Sequence, residues 1–357
     1  MKFVHIADMH FDTAFTTLET KKNIGGLRRL EQREVFKKII EYIKKENIEY
    51  FFISGDLYDQ NYIRQTTVEY INNLFKEIPN TKIFISPGNH DPYINNSFYN
   101  KFVWNNNVHI FKSKIEKVST SEANIYGFGF DDFYCRDCGL DNLEIDDKEK
   151  LNILVIHADL DASNDDEEAY NPLKSRVLKE KNFDYIALGH IHKTNYNEEE
   201  NKKYIYPGST VSLGFDELGE HGMIVGNIEK NKLELNFVKL DEREFIETNL
   251  DISEINSEEE LIEKLNNLNL CENSENKIIL IGNRNFEIKI NNILKLIQNE
   301  KIIKIKDNTK IKYDLEEIAK QNNLRGIFVK KLLEKLEAGE YTKEEIMQAI
   351  EIGLSLI

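Results

Sequence analysis

The sequence predicts an α/β protein in which helices cover sheets, followed by a smaller α/β unit and a helical tail. Three observations carry this. Short apolar runs alternate with amphipathic stretches through the first 240 residues. Those runs are apolar at nearly every position, the pattern of strands buried on both faces. Near Leu240-Asp241-Glu242-Arg243 the pattern resets. The expected division is 1–240, 241–313 and 314–357, in line with a prior of about two domains for 357 residues.

The expected strands of the first part are Phe3–Ala7, Tyr50–Ser54, Lys82–Ser86, Asn124–Phe128, Leu151–Ile156 and Tyr185–Leu188. Each is a short run bounded by Gly, Pro, Asn or Asp. Between them, Arg29–Asn47 gathers Leu30, Val35, Ile39, Ile40 and Ile43 toward one helical face. Thr67–Ile78 does the same with Tyr70, Ile71, Leu74 and Phe75. Tyr204–Leu240 holds two strand-like runs, around Gly222 and Lys232, read as the second half of the same layered domain.

After the reset come a strand (Phe245–Ile252), a helix (Glu258–Leu268), a strand (Lys277–Ile281), a helix (Ile290–Gln298) and a strand (Ile302–Ile305). Asp314–Ile357 reads as helical, with Leu324, Ile327, Phe328, Leu332, Leu333 and Leu336 as an apolar stripe flanked by Arg and Lys. Thr342, with Glu345 three residues on, predicts a capped start for the last helix.

Composition narrows the function. Acidic residues outnumber basic ones by 63 to 47, for a net charge of −16, so the overall field does not favour coating nucleic acid. A phosphate-bearing ligand needs a local positive site. Apolar residues at 40% are too many for a disordered chain. No apolar run reaches the ~18 residues of a membrane span. The N-terminal segment reads as a strand rather than a signal peptide. Three Cys suit a reducing cytoplasm, and Cys135-Arg136-Asp137-Cys138 reads as two free thiols. The acidic run 161–168 reads as a solvated loop.

Five short motifs fall at strand ends, where sites in α/β sheets assemble. They are Asp8-Met9-His10, Gly55-Asp56-Leu57-Tyr58-Asp59, Gly88-Asn89-His90-Asp91, His157, and Gly189-His190-Ile191-His192. Five of the eight His lie in them. Imidazole, carboxylate and amide oxygen together suit divalent transition metals. Asp-x-His and His-x-His spacing at a strand end lets both side chains reach one cluster, and Asp56 could bridge two ions. The competing reading is of polar residues that merely cap neighbouring helices. Asp59 and Asp91 stay open between a site role and a cap or turn role. His5, His109 and His221 have no partners at motif spacing and read as structural.

In order and context these motifs resemble the calcineurin-like metallophosphoesterase superfamily. The resemblance implies a four-layer sandwich, helices over two packed mixed sheets, with a small α/β cap domain at 241–313. It implies one metal held by Asp8, His10, Asp56 and His192, and a second by Asp56, Asn89, His157 and His190. His90 would face the phosphate, with Asp91 orienting its ring. Mn²⁺ is the first expectation, and Fe²⁺ or Zn²⁺ fit the same donors.

Within the superfamily, Ile6-Ala7-Asp8-Met9-His10-Phe11-Asp12, Arg28-Arg29, Ser86-Pro87-Gly88-Asn89-His90-Asp91-Pro92, Tyr206-Pro207-Gly208-Ser209 and Phe215-Asp216-Glu217-Leu218-Gly219 are similar to SbcD/YhaO-type DNA repair exonucleases. This implies a nuclease subunit acting on DNA phosphodiesters, a homodimer, and an SbcC-type coiled-coil ABC ATPase docked on the helices of 314–357. No Walker motif occurs in this chain. One departure stands out: some archaeal and eukaryotic relatives carry a His three residues after the bridging Asp, where this chain has Asp59. The alternatives are a small-molecule or nucleotide phosphodiesterase with the same site, and a non-catalytic adaptor.

Overall fold

The computed structural model describes residues 1–15, 24–145, 147, 149–162, 169–200 and 202–356. Two compact units separate, Met1–Phe245 and Ile246–Ile357. Most of the acidic run, 163–168, lies outside the described residues.

In the first unit, β1 (Lys2–Ile6), α1 (Ile24–Glu46), β2 (Tyr50–Ile53), α2 (Gln65–Lys76) and β3 (Lys82–Ile85) alternate as expected. A single-turn α3 (Phe98–Lys101), β4 (Val108–Ile110), β5 (Glu116–Ser119), β6 (Ala123–Gly127) and β7 (Leu151–His157) follow. Short β8 (Asp159–Leu160) and β9 (Pro172–Leu173) precede α4 (Ser175–Glu180), β10 (Tyr185–Gly189) and β11 (Tyr204–Ile205). The hairpin β12 (Gly222–Glu229) and β13 (Lys232–Lys239) completes the unit's sheets.

Two mixed sheets result. One has the order β13-β12-β1-β2-β3-β4, the other β11-β10-β7-β6-β5. β1 runs parallel to β2 and antiparallel to β12, so the late hairpin extends the first sheet. Strand side chains alternate between faces, and here both faces are covered. Phe3, Phe52 and Ile224 of the first sheet meet Ile125, Ile153 and Ala187 of the second in one core. On the first sheet's other face, Val4, Ile6, Phe51 and Ile53 pack against Val35, Phe36, Ile39 and Phe75 of α1 and α2. Beyond the second sheet, Leu154, Ile156 and Ile186 pack with Leu178 and Phe183. The layers are therefore helix, sheet, sheet and helix, the sandwich expected from the motifs.

One expected core residue is misplaced. Leu30 is 61% exposed, and the buried face of α1 instead carries Arg28, Gln32, Val35, Phe36, Ile39, Ile40 and Ile43. At 3.6 residues per turn, Leu30 stands far around the helix from Val35. Arg28 is fully buried. It donates to both carboxylate oxygens of Asp241 and to the Ser212 carbonyl, which ties the start of α1 to the segment after β13.

The second unit contains all but the first two residues of β14 (Glu244–Asp251), and α5 (Glu258–Asn266), β15 (Ser274–Ile281), β16 (Asn283–Arg284), α6 (Ile290–Leu296), β17 (Ile302–Asp307) and β18 (Lys310–Ile311). Its sheet, β14-β15-β17, shares a core of Leu261, Leu265, Ile278, Leu280, Ile293 and Ile302 with α5 and α6. Then come α7 (Leu315–Ala319), α8 (Leu324–Glu337) and α9 (Lys343–Leu356). Thr342 and Glu345 exchange backbone-to-side-chain bonds of 2.8 and 3.3 Å, the reciprocal cap that their spacing predicts. The apolar stripe of α8 divides. Phe328, Leu332, Leu333 and Leu336 pack beside buried Val329, Ile346, Ile350 and Leu354, while Leu324 and Ile327 remain exposed.

No helix of the described residues is long and apolar enough to cross a membrane.

Candidate metal centre

The strand ends of both sheets meet at one edge of the sandwich. The parallel register of β1 and β2, ending Ile6↔Ile53, brings their following loops side by side. The Asp8 N–H then donates to the Gly55 carbonyl at 3.1 Å and the His10 N–H to the Asp56 carbonyl at 2.9 Å. In the second sheet, Gly189 of β10 pairs with His157 of β7, which places His190 and His192 next to His157. Asp8, His10, Asp56 and His190 all take positive φ. For non-glycine residues that backbone costs free energy, and it clusters where geometry serves a site. Close approach explains two glycines: a Cβ on Gly55 would collide with the His157 ring, and one on Gly88 with the Asp56 carboxylate.

Three sets of donor atoms converge within 4.8 Å: Asp8 with His10 and His192; His10 with Asp56 and His90; and Asp8 with Asp56 and His157. Asp8 and Asp56 are buried, and each faces imidazoles. His192 Nε2 stands 3.8 Å from Asp8, His10 Nε2 3.7 Å from Asp56, and His157 Nε2 3.4 Å from Asp56. Among the described residues neither carboxylate has a Lys or Arg partner. Two buried carboxylates without a fixed cation are costly, and the donor set fits divalent transition ions. Asn89 joins through its side-chain oxygen, 2.9 Å from His157 Nε2. The His190 ring lies edge-on to His157 at 5.2 Å, with its Nε2 3.9 Å from Asp159. Each residue expected as a ligand therefore lies in the cluster or against it.

Electrostatics differ among these groups. Burial raises the Asp8 pKa above the usual carboxylate range, and neighbouring Asp56 adds to that. Burial also opposes charge on Asp56, yet His157, His10 and His90 hold it below that range. Burial and the nearby His157 lower His190 to about 3, so it is neutral and able to donate a lone pair.

Carboxylates also face the outer ring nitrogens. Asp59 Oδ1 accepts from His10 Nδ1 at 3.1 Å and from His90 Nδ1 at 3.0 Å. His157 Nδ1 donates to the Ser54 carbonyl at 2.9 Å. Glu217 contacts His192 Nδ1 at 2.5 Å and is itself held by the Ser209 hydroxyl and the Leu213 N–H. Such partners fix the tautomer and leave Nε2 free for a ligand. Burial works against charge on His90, but the bond to Asp59 and the nearby Asp56 and Asp91 carry its pKa up to about 9.

The expectation for Asp91 needs correcting. Its oxygens accept from the Gly88, Asp56 and Leu57 N–H groups and from the Tyr99 hydroxyl. It therefore shapes the loops beneath Asp56, and the carboxylate against the His90 ring is Asp59. The sequence leaves Asp59 open and gives Glu217 no role of its own. Asp59 sits three residues past Asp56, a usable signal; Glu217 lies in the Phe215–Gly219 stretch that carries the resemblance, but its place behind His192, 25 residues away in the chain, is set by the fold alone. His5 bonds Tyr185, Leu188 and Ser54 in the core, and His221 bonds Ser209 and Glu217, both structural as expected. All three Cys are free.

This fold, with its cluster of His and Asp donors at the strand ends, defines a class, the metallophosphoesterases of the four-layer sandwich type. The calcineurin-like phosphoesterase family model matches residues 1–194, and the chain belongs to that family. The chain is 25% identical over 246 residues to the uncharacterized metallophosphoesterase YhaO of Bacillus subtilis (strain 168), covering 66% of this chain and 60% of that protein. It is 27% identical over 270 residues to a subunit of the SbcCD nuclease of Staphylococcus epidermidis, covering 65% of this chain and 67% of that one. The match thus spans less than two thirds of the YhaO protein's own length. Solved structures that align include TT1561 of Thermus thermophilus, at TM-score 0.40 and 9% identity over 66% of this chain and 98% of that one. A dimetal phosphatase from Danio rerio aligns at TM-score 0.40 and 10% identity over 66% and 95%.

Proposed function

We propose that this protein is a metal-dependent DNA nuclease subunit that hydrolyses phosphodiesters in DNA repair or end processing. The observation that carries the proposal is the buried Asp8 and Asp56 pair, ringed by imidazoles and without a Lys or Arg partner among the described residues. Bound there, divalent cations would supply a water of lowered pKa and offset charge on the phosphate. Asp8, His10, Asp56 and His192 would hold one ion, and Asp56, Asn89, His157 and His190 the other. Mn²⁺ is the first choice.

Within this reading the residues have distinct tasks. Asp59 and Glu217 keep the Nδ1 protons of His10 and His192 turned away from the ions. His90, its side chain half exposed, holds a proton on the nitrogen away from Asp59 and can give it to the leaving oxygen. Likeness to a nuclease subunit supports DNA as the substrate class, as does the second unit after residue 245. Segment 241–313 would serve as a cap, and exposed Leu324 and Ile327 of α8 would help dock an SbcC-type ATPase. The chain would act as a homodimer.

The test is incubation with Mn²⁺ and, separately, single-stranded DNA, duplex DNA, cyclic nucleotides and mononucleotides. Cleavage of DNA is expected. Turnover of the small substrates alone would leave a phosphodiesterase and remove the nuclease assignment.

A further inference from the structure

Beside His90 the surface opens into a cavity of about 270 Å³ that the chemistry above does not use. Its walls include Tyr62, Phe133, Tyr134 and Tyr170, together with Asn89 and His90 of the metal centre. The Tyr134 and Tyr170 rings stand 5.7 Å apart at 42°, and Tyr170 continues onto the His190 ring at 5.0 Å and 34°. Tyr62 and Tyr134 are 54% and 45% exposed.

We infer that this cavity is a nucleobase subsite, which stacks the base of one nucleotide flanking the phosphate at the metal centre. Three features select that occupant. No Lys or Arg lines the cavity among the described residues, so it is not built for a second phosphate. Its size lies just under the ~300 Å³ at which pockets for drug-sized ligands begin, so it suits one planar ring system and excludes a duplex. It shares Asn89 and His90 with the reacting centre, so a base seated there is continuous with the phosphate being cut. Aromatic platforms bind any base by its π-face, so weak sequence preference follows. A base must be unpaired to enter, which favours single strands and frayed ends over the interior of a duplex. The inference deepens the nuclease reading and rests on it for the substrate.

The test uses the full chain with Mn²⁺ and thymidylyl-thymidine, which has a single phosphodiester. Two analogues each replace one base with an abasic residue. One of the two abasic analogues should show KM raised about tenfold, within the range of stacking on aromatic side chains. Tyr134→Ala and Tyr170→Ala should raise KM for the intact substrate comparably, the Phe variants should not, and the losses from base and ring should be non-additive. Independently, 2-aminopurine deoxyriboside monophosphate should lose fluorescence on binding the wild type and the Phe variants, and keep it with the Ala variants. Additive losses, or Ala variants that leave KM and quenching as in the wild type, overturn the subsite. Absence of any hydrolysis would instead remove the nuclease reading, and the quenching measurement would still decide the cavity.

Discussion

Replacing Asp59 probes the link between the two halves of the site. One oxygen, Oδ1, faces both His10 Nδ1 at 3.1 Å and His90 Nδ1 at 3.0 Å. The side chain is only 10% exposed, so solvent screens it little. A hydrogen bond to a charged group contributes about 1.5–3 kcal/mol net. Loss of the bond to His10 alone therefore corresponds to roughly 10- to 100-fold weaker metal binding, the range seen when a partner behind a metal ligand is removed. Asp59→Ala should reach that range by titration calorimetry of Mn²⁺ into metal-free protein. Asp59→Asn keeps an acceptor oxygen and drops the charge, so it should lose about tenfold. Both variants should also lower kcat on bis(p-nitrophenyl) phosphate at saturating Mn²⁺, because the His90 proton is no longer held. The kcat loss at saturating metal separates the effect on His90 from that on His10. Wild-type Mn²⁺ affinity and wild-type kcat in Asp59→Ala would refute the reasoning and leave Asp59 a buried loop residue with no part in the site.

Four further outcomes follow from the same geometry. Asp56→Ala should bind neither ion by elemental analysis and show no turnover, since both donor sets on its side lose their shared carboxylate. His90→Leu should keep its metal content and lose about 10²- to 10⁴-fold in kcat, the usual contribution of a positioned acid; a metal-free His90→Leu protein would show that His90 is a ligand. The metal-free protein should weaken as pH falls below 6.5, because burial lowers His5 to about 3. The unfolded chain binds a proton there that the folded one does not, so stability is lost at about 1.4 kcal/mol per pH unit on the way down and is regained above 6.5; His5→Gln should flatten that slope in a thermal-melt series. Deleting 314–357 should preserve cleavage of short DNA and abolish co-elution with a coiled-coil ATPase on size exclusion.

Much of the fold was legible because burial writes itself into strands. Runs such as Tyr50-Phe51-Phe52-Ile53 and Leu151-Asn152-Ile153-Leu154-Val155-Ile156 lie between two covered faces, so nearly every position is apolar. Among the strands that the sequence does not announce, Val108–Ile110 and Glu116–Ser119 lie at sheet edges and are short and mixed in character. Leu30 illustrates a different failure. A helix of 23 residues has room for an apolar residue on its outer face, and composition cannot tell which side faces the sheet.

The sequence by itself determined the donor types and their places at strand ends, since Asp-x-His, Gly-Asn-His-Asp and His-x-His are local patterns with a chemical meaning. Only the tertiary structure decided which carboxylate serves which ring. Asp91 neighbours His90 in the chain, but its oxygens are taken by the backbone beneath Asp56, and Asp59 reaches the ring from another loop. Glu217 and the tyrosines of the cavity likewise come together from distant segments. Local spacing fixes what a residue offers; the crossing of two sheets fixes what it meets.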